Sequence, residues 1–384
     1  MKILHIIGAY KPAYIYGGPM FSVSALAETQ AKMGLDVHLF STNSNGSQNL
    51  NVPLNILLDV EGVKVTYFKR LALKTEFSMP LIIKLLKTYR EFDIIHIHSF
   101  WSLNVLFIIQ ILNINKKKFI ISPRGMLSSY SFGNKFKFIK KFIFNVLSKN
   151  IIQKNVVHVT SNLEQQEIEL LFENKITIFN LPNILNFSNL RFKPNGTIKE
   201  HTNNLSILFL SRIDKKKGLE LLISALPSLI ENNIIPKLKI AGTGDIKYIN
   251  ELKEYANTLG VSNYTEWLGH IDAVEKSNTI EWAQLVVLPS YNENFANVIL
   301  ESLFMGKPVI VSNKVGLFDY VQFNSFGWVI ENNKEDIVSS CLDYISSEQI
   351  WIDRKEEMHK QISKDFSPQL VTENYLSKYN YYLQ

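Results

Sequence analysis

Short apolar runs rich in β-branched residues alternate with helical patterns along the whole chain, and this alternation constrains the fold more than any other feature. Such runs with helices between them are typical of parallel sheets covered on both faces. At 384 residues the chain is too long for one ordinary core, so we predict two doubly wound α/β domains. The predicted strands are Lys2–Ile7, Val37–Phe40, Val63–Phe68, Ile94–His98, Phe119–Ile121, Val156–Thr160, Ile207–Leu210, Leu238–Ile240, Tyr264–Leu268, Leu285–Leu288 and Val309–Val311.

A polar segment, "NFSNLRFKPNGTIKEHTNN", separates the two sets of strands and contains a proline and a glycine. This composition is typical of a linker. We therefore place a Rossmann-like N-terminal domain at residues 1–190, the linker at 191–204 and a second Rossmann-like domain at 205–364. Residues 365–384 are predicted to form a helix with Pro368 in its first turn, crossing back to the N-terminal domain. Ligands are expected at the carboxyl ends of the strands, in a cleft that both domains face.

Composition narrows the class of protein. Hydrophobic residues make up 46% and charged residues 20% of the chain, which is typical of a folded globular protein. The sole cysteine, Cys341, excludes an intramolecular disulfide and fits a reducing compartment. The longest apolar stretch, Leu103–Ile114, is shorter than the roughly 20 residues that a membrane span needs, and no signal-peptide pattern opens the chain. We expect a cytoplasmic protein.

Positive charge is concentrated in the first half. Residues 1–190 carry 21 Lys and Arg against 11 Asp and Glu, a net charge of +10, whereas the remainder carries −4. Within this half, residues 132–150 interleave lysines with phenylalanines, a pattern that suits a helix lying on an anionic membrane. The alternative is an amphipathic helix packed on its own domain, with its lysines in water. No nucleic-acid-binding motif accompanies the charge, so we expect no nucleic-acid partner.

Two turns have the composition of phosphate sites. Gly17 and Gly18 of "YGGP" follow the first strand at a helix start, where exposed amides could hold a phosphate, although a plain tight turn has the same composition. Arg212 and Lys217 of "LSRIDKKKG" lie in a strand-to-helix turn that ends at Gly218. Two cations beside the positive end of a helix suit a diphosphate.

Two further strand ends could approach a ligand through their backbone. Gly242 and Gly244 of "KLKIAGTGD" lack side chains that would block such an approach. Leu268 and His270 of "EWLGHID" follow the next strand and could present backbone groups to a nucleotide base.

Histidines end another predicted strand. In "FDIIHIHSFW", we take His96 and His98 to lie on opposite faces of the strand and therefore expect no shared metal. His98 lies nearer the carboxyl end of the strand, where a ligand is expected.

The segment "LPSYNENFANVILESLFMGKPVIVS" carries two glutamates where a strand ends and a helix begins. Glu293 lies in the predicted loop, and Glu301 lies on the helix, which ends at Gly306. Carboxylates accept hydrogen bonds from vicinal hydroxyls, so the pair could hold a ribose and a second sugar. Amides near Phe295–Asn297 start the helix and could bind phosphates or hydroxyls between them.

These motifs resemble those of the retaining glycosyltransferases of family four, which have the two-domain GT-B fold. "ENFANVILE" is similar to the family's pair of glutamates separated by seven residues, and the following "GKPVI" to its G-x-P-V strand. "LSRIDKKKG" resembles the family's basic turn, and "YGGP", "FDIIHIH", "IAGTGD", "LPNIL" and "SPRGML" resemble its other signatures in the same order. The resemblance therefore extends from the first strand to the last quarter of the chain. It implies that the N-terminal domain binds the acceptor and that the C-terminal domain binds the nucleotide sugar.

The resemblance implies a role for each matching residue. Arg212 and Lys217 would bind the diphosphate of a donor, and Glu301 would bind the nucleotide ribose. Glu293 would bind the transferred sugar. At the transferred sugar, the resemblance also implies His98 and the amides of Phe295, Ala296 and Asn297. It places Gly18 at the phosphate, and it implies further donor contacts at Gly17, Gly242, Gly244, Leu268 and His270. The implied acceptor residues are Arg124 and Tyr16.

Two positions depart from the family pattern: Ala296 stands where the family has glycine, and Arg124 stands where the family commonly has histidine. The chain also lacks an Asp-x-Asp pair, which agrees with a reaction that needs no metal.

The resemblance implies transfer of a sugar from a UDP- or GDP-sugar to a glycan or lipid-linked saccharide, with retention of anomeric configuration and without a cofactor. It implies a place in surface polysaccharide, O-antigen or capsule assembly, on the cytoplasmic side of a membrane. A soluble transferase acting on a small molecule or protein, and a non-catalytic regulator that binds nucleotide sugars, are the alternatives.

Overall fold

A computed structural model describes residues 1–73, 75–133, 137–194 and 203–383. The chain divides into two compact units. Unit 1 comprises Met1–Leu185 and Phe366–Gln384, and unit 2 comprises Asn186–Asp365. Each unit contains a twisted sheet of mainly parallel strands covered by helices, so the fold predicted from the sequence is confirmed.

Unit 1 contains an eight-stranded sheet in the order β10-β9-β8-β7-β1-β2-β6-β5, and only β5 runs antiparallel to its neighbour. A small hairpin, β3–β4, lies outside this sheet. The strands are β1 Lys2–Ala9, β2 Asp36–Thr42, β3 Ser44–Asn45, β4 Gln48–Asn49, β5 Leu57–Val60, β6 Val63–Phe68, β7 Ile94–His98, β8 Ile120–Ser122, β9 Val156–Val159 and β10 Thr177–Asn180. The helices are α1 Gly18–Lys32, α2 Met79–Thr88, α3 Leu103–Ile114, α4 Ser129–Gly133, α5 Lys137–Ile143, α6 Lys149–Gln153 and α7 Asn162–Leu171.

Alternating side chains of the central strands cover both faces of this sheet. Leu4 and Ile6 of β1 belong to a cluster that includes Ile108 of α3, whereas Ile3 of β1 belongs to another cluster with Leu26 of α1. The period of two along a strand explains this division. Consequently α1 and α3 pack on opposite faces of the sheet.

Unit 2 contains a six-stranded parallel sheet in the order β13-β12-β11-β14-β15-β16. Its strands are β11 Asn204–Leu210, β12 Ile235–Ala241, β13 Thr265–Gly269, β14 Leu285–Leu288, β15 Val309–Ser312 and β16 Gly327–Ile330. Its helices are α8 Leu219–Glu231, α9 Ile246–Thr258, α10 Ala273–Trp282, α11 Asn297–Phe304, α12 Phe318–Asn324, α13 Lys334–Ser346, α14 Glu348–Asp353 and α15 Lys355–Asp365.

The boundary between the units differs from the predicted one. Unit 1 ends at Leu185 rather than at residue 190, because the following residues pack on unit 2: Phe187 stacks on Phe304, and Phe192 stacks on His359. The first residues of the predicted linker therefore belong to unit 2. Its residues 195–202 lie outside the described residues.

The last helix, α16 (Pro368–Leu383), begins at the predicted proline. It belongs to unit 1, where Tyr375 and Tyr379 are buried. The hydroxyl of Tyr379 lies 2.7 Å from Nδ1 of His96. Over the ranges that the structure describes, no helix combines the length and the apolar character that crossing a bilayer requires.

Candidate active site

The candidate site in unit 2 lies at the carboxyl ends of β11 and β14. From β11 the chain passes through α8 to β12 on one side, and from β14 it passes through α11 to β15 on the other side. The order of strands therefore reverses between β11 and β14, and ligands of doubly wound sheets bind at such a point. The sequence motifs at 211–218 and 289–297 occupy these two loops.

Backbone contacts hold the two loops together. The amide of Tyr291 donates to the carbonyl of Lys216 over 2.8 Å. A side chain at Gly218 would collide with the carbonyl of Pro289, and Gly218 also has a positive φ of 67°, so this position requires glycine. The side chain of Asp214 accepts from the amide of Lys216 over 3.1 Å and closes the basic turn.

Lys217 and Glu293 form an ion pair between the two loops. Lys217 is only 6% exposed. Its burial, with Lys216 and Arg212 nearby, lowers the pKa of its ammonium group, and the charge of Asp214 partly opposes this shift. Arg212 is exposed, and none of the described residues accepts a hydrogen bond from its guanidinium group. Arg212, Lys217 and Glu293 thus place an exposed cation, a buried cation and a carboxylate in these two loops.

A third loop fixes the backbone of Glu293. Its amide donates to the carbonyl of Lys314 over 3.0 Å, and its carbonyl accepts from the amide of Gly316 over 2.9 Å. The orientation of the carboxylate therefore depends on rigid neighbours rather than on an isolated loop.

Glu301 of α11 is held by a lysine that the sequence analysis missed. Lys276 Nζ of α10 lies 2.6 Å from Glu301 Oε1, and both side chains are partly buried. A capping box formed by Asp272 and Glu275 fixes the start of α10. The two residues are 25 positions apart in the sequence, and no local pattern signals their pairing.

The loop that carries Glu293 leads into α11, which begins at Asn297. Phe295 and Ala296 are buried, and Ala296 precedes the helix with a φ of 71°. This conformation favours glycine and costs an alanine about 1–2 kcal/mol. The first amides of a helix have no partner within it, and those near Asn297 lie at the same sheet edge as Glu293.

The structure gives Gly242 and Gly244 a role within the protein. A side chain at Gly242 would collide with the carbonyl of Ser211, and one at Gly244 would collide with the carbonyl of Ile213. Both glycines therefore let the loop that carries Arg212 pass close to the end of β12.

Of the positions predicted near the base, Leu268 is partly buried and His270 is exposed after the edge strand β13.

In unit 1 the corresponding reversal lies between β1 and β7. Gly17, with a φ of 65°, caps α1, which begins at Gly18, and the space beside Gly17 is open. The predicted acceptor residue Tyr16 precedes them. Its hydroxyl lies 2.5 Å from Ser44 Oγ and accepts from the amide of Gly46 over 3.1 Å, so it is anchored to the β3–β4 hairpin.

His98 and Arg124 belong to a buried hydrogen-bond chain. A guanidinium nitrogen of Arg124 lies 3.3 Å from His98 Nδ1, which can only accept from it, so Nε2 of His98 carries the proton and donates to His5 Nδ1 over 2.9 Å. His5 in turn donates through Nε2 to Gln30 over 2.8 Å. His98 is fully buried. In this structure both of its ring nitrogens lie within hydrogen-bond distance of a neighbouring side chain, and its contact with a sugar stays a prediction.

Arg124 also donates to Ser22 over 2.9 Å and to Asn183 over 2.8 Å. The Arg124 guanidinium thus links α1 and the "LPNIL" segment to His98 at the end of β7.

The prediction that His96 and His98 lie on opposite faces of β7 is wrong. Residues two apart in a strand share a face, and the two rings lie with their centroids 4.2 Å apart. Together with His5 they place nitrogens within 4.8 Å of one another. The His5–His98 hydrogen bond occupies two of these nitrogens, and the Arg124 guanidinium beside them disfavours a cation, so the cluster fits a polar network better than a metal site.

Two doubly wound units with a basic turn and paired carboxylates in the second are the arrangement of the GT-B glycosyltransferases. Residues 16–180 match the family described as Glycosyltransferase Family 4, and residues 195–365 match Glycosyl transferases group 1. The chain therefore belongs to the GT-B glycosyltransferases of the family-4 type, and it is an enzyme.

Curated relatives agree with this assignment. A protein encoded in the cps region of Klebsiella pneumoniae is 24% identical over the full length of both chains. The capsular polysaccharide biosynthesis glycosyltransferase CapM of Staphylococcus aureus is 23% identical over 65% of this chain and 67% of its own. An uncharacterized glycosyltransferase of Methanocaldococcus jannaschii is 36% identical, but the match spans only 34% of this chain and 33% of the relative.

Among solved structures, Anabaena HepE in complex with UDP-glucose superposes with a TM-score of 0.70. The match covers 98% of this chain and 100% of that one at 18% identity. At this identity the likeness concerns the fold.

Proposed function

We propose that the protein is a retaining glycosyltransferase that moves a sugar from a UDP- or GDP-sugar to a glycan or lipid-linked saccharide acceptor in surface polysaccharide assembly. The observation that carries this proposal is the grouping of Arg212, Lys217 and Glu293 where the strand order of unit 2 reverses. The names of two similar proteins support the choice of substrates: CapM is a capsular polysaccharide biosynthesis glycosyltransferase, and HepE is in complex with UDP-glucose.

The chemistry of the site suggests a division of labour. Arg212 and Lys217 stabilise the negative charge that develops on the departing diphosphate. Glu293 accepts hydrogen bonds from the transferred sugar, and Glu301 accepts them from the ribose. The departing phosphate takes the proton of the acceptor hydroxyl on the same face of the sugar, so the anomeric configuration is retained.

No metal is required in this proposal, because two side-chain cations supply the positive charge at the diphosphate. Transfer should therefore continue in an excess of chelator, and a divalent-ion requirement would contradict this part.

The first experiment identifies the nucleotide. A thermal-shift screen with UDP, GDP and ADP should raise the melting temperature with one of the first two, since binding to the folded state stabilises it. The corresponding sugar nucleotides then serve as donors, and nuclear magnetic resonance of the product gives its anomeric configuration.

The second experiment compares Lys217→Ala with Lys215→Ala. Lys217 is buried in the site, whereas Lys215 is an exposed cation of the same turn. Lys217→Ala should reduce transfer by about 100-fold or more, in the range observed when a preorganised electrostatic group is removed. Lys215→Ala should stay near the wild-type rate. Equal rates for the two variants would contradict the proposed role of Lys217.

We further propose that unit 1 docks on the inner face of an anionic membrane through α5 and the turn that follows it. Phe138, Phe142 and Val146 are 86%, 65% and 60% exposed, beside the exposed cations Lys137 and Lys141. Apolar side chains in water flanked by lysines are typical of an interfacial helix. Phe144 of the same stripe is buried in the core of unit 1, so only part of the stripe packs on its own domain. Residues 134–136 of the predicted basic stripe lie outside the described residues.

Sedimentation with vesicles that contain anionic phospholipid tests this docking at low salt. Phe138→Ser combined with Phe142→Ser should release the protein into the supernatant. The matched control is Phe323→Ser, which removes an 89% exposed phenylalanine from unit 2. Sedimentation of the double variant at the wild-type level would contradict membrane docking through α5.

A further inference from the structure

A carboxylate without a described hydrogen-bond partner lies at the end of β1 in unit 1. The side chain of Glu76 is partly buried against Gly8, so that a methyl group at Gly8 would meet its carboxylate oxygens. Among the described residues, none donates a hydrogen bond to this carboxylate or forms an ion pair with it. The side chain is only partly buried, so its oxygens are accessible to water and to a ligand.

The backbone around Glu76 is firmly anchored. The side-chain amide of Asn104, in the first turn of α3, donates to the carbonyl of Glu76. The amide of Ser78 donates to Asn104 over 2.9 Å, and the Ser78 hydroxyl donates to the carbonyl of Lys69 over 2.7 Å. The hydrogen bonds to Asn104 and Lys69 therefore fix the backbone that carries Glu76 beside β1.

Arg70, whose positive charge influences the pKa of Glu76, donates its hydrogen bonds to other groups. Its guanidinium donates to Asn49 over 2.7 Å and to Ser44 over 2.9 Å, and it also reaches the carbonyl of Gly46 over 2.9 Å. Burial raises the pKa of Glu76, and the charge of Arg70 partly opposes this shift. Arg70 thus holds the β3–β4 hairpin and leaves the Glu76 oxygens available.

Glu76 lies beside the point where the strand order of unit 1 reverses, and the donor site lies at the corresponding point of unit 2. The strand order of unit 1 reverses between β1 and β7, and α1 and α3 leave these strands on opposite faces. Gly8 lies in the carboxyl end of β1, beside this reversal point. Crevices at such points bind ligands in doubly wound sheets, and the donor motifs already occupy the equivalent point of unit 2.

We propose that Glu76 binds hydroxyl groups of the acceptor sugar. This inference rests on the proposed function, because it assigns the acceptor to unit 1. A carboxylate accepts hydrogen bonds from vicinal hydroxyls and repels phosphate and carboxylate groups. The sugar unit that contacts Glu76 is therefore neutral, whatever charge the rest of the acceptor carries.

The test uses the full-length enzyme and the sugar nucleotide that it hydrolyses. Octyl glycosides of neutral hexoses and of the matching uronic acids serve as acceptor probes. We expect transfer to a neutral glycoside, and Glu76→Gln should raise the KM for that glycoside roughly tenfold to hundredfold, the range for lost hydrogen bonds to a charged group. The KM for the donor should change by less than about twofold, a split that a merely structural role would not give.

Gly8→Ala provides an independent variant that keeps the charge of Glu76. The backbone of Gly8 lies outside the left-handed region, and the added methyl group meets only the flexible end of the Glu76 side chain, so the protein can fold with the carboxylate displaced. We expect a higher acceptor KM for Gly8→Ala alone, and no further increase when it is added to Glu76→Ala. Glu91→Gln is the matched control, because Glu91 is an exposed carboxylate paired with Lys2 at the opposite end of β1.

Several results would overturn the role of Glu76. These are an unchanged acceptor KM in Glu76→Gln, a full additional effect of Gly8→Ala in the Glu76→Ala background, or transfer by the wild type only to uronic acid glycosides or to none of the probes. A wild-type enzyme that neither binds nor hydrolyses any sugar nucleotide would instead contradict the proposed function, so the two failures are distinguishable.

Discussion

Glu301 and its partner Lys276 give a test at the level of single residues. Glu301→Gln should weaken nucleotide binding by roughly tenfold to hundredfold, because hydrogen bonds to a charged acceptor contribute about 1.5–3 kcal/mol. Lys276→Met should have a smaller effect, since Lys276 only orients the carboxylate and is 28% exposed in the pair. Isothermal titration calorimetry with the nucleotide identified by thermal shift measures both affinities.

Glu266→Gln is the control for this pair, because Glu266 is a 60% exposed carboxylate of the same unit, 3.7 Å from Lys239. Unchanged affinity in Glu301→Gln would remove Glu301 from the ribose site. A larger loss in Lys276→Met than in Glu301→Gln would mean that the lysine itself contacts the nucleotide.

At the residue scale, the sequence predicted which residues belong to the candidate site better than it predicted their contacts within the protein. Arg212, Lys217, Glu293 and Glu301 all follow strand ends or helix starts, positions that local pattern identifies. Lys276 has no such signal, because its partner Glu301 lies 25 residues further along the chain.

At the scale of elements, buried strands were predictable and most edge strands were not. The bounds predicted for β6, β7 and β14 agree with the structure. The strands β5, β10 and β16 were missed, and each lies at the edge of its sheet. Asp59 interrupts β5, β10 has only two apolar residues between Thr177 and Asn180, and Gly327 opens β16, so none of the three has the uninterrupted β-branched run of a central strand.

Gly244 gives a prediction for the packing of elements. Gly244→Ala should lower the free energy of unfolding by about 1–3 kcal/mol, the usual effect of overpacking, because the new methyl group would collide with the Ile213 carbonyl. Donor affinity should fall as well, since Ile213 follows Arg212 in the same loop. Urea denaturation and calorimetry measure the two effects.

Gly133→Ala is the matched substitution at a glycine with open space and no positive φ, and it should leave both quantities near the wild-type values. Equal stability of Gly244→Ala and Gly133→Ala would mean that the loop moves at little cost.

At the scale of the whole molecule, the sequence predicted two parallel-sheet domains but placed their boundary too late. The apolar residues that decide the boundary, Phe187 and Phe192, lie in a polar segment, and their stacking partners Phe304 and His359 are more than a hundred residues away. Long-range contacts of this kind leave no periodic pattern in the sequence.

The two units should respond differently to acid, because the buried histidines lie in unit 1. Burial lowers the pKa of His5 to about 4 and that of His158 to about 3, and it lowers the pKa of His96 and of His98 well below the usual 6.5. The unfolded chain then binds more protons than the folded one below about pH 6.5, so the free energy of unfolding falls as the pH falls. Each histidine contributes up to about 1.4 kcal/mol per pH unit until its folded-state pKa is reached.

Hydrogen exchange at successive pH values, corrected for the intrinsic exchange rate, separates the two units by peptide. Peptides of β1, β7 and β9 should lose protection between about pH 6.5 and pH 5, before those of β11 and β14.

His158→Gln removes one titrating group and should reduce the slope of stability against pH by about one proton. The variant should still fold, because a glutamine amide can donate to the Leu181 carbonyl that His158 Nε2 contacts at 3.0 Å. Asn263→Gln, which exchanges one uncharged amide for another at an exposed site in unit 2, should leave the slope unchanged. If His158→Gln also left it unchanged, the folded-state pKa of His158 would lie near 6.5, and burial in the network would not hold that ring neutral.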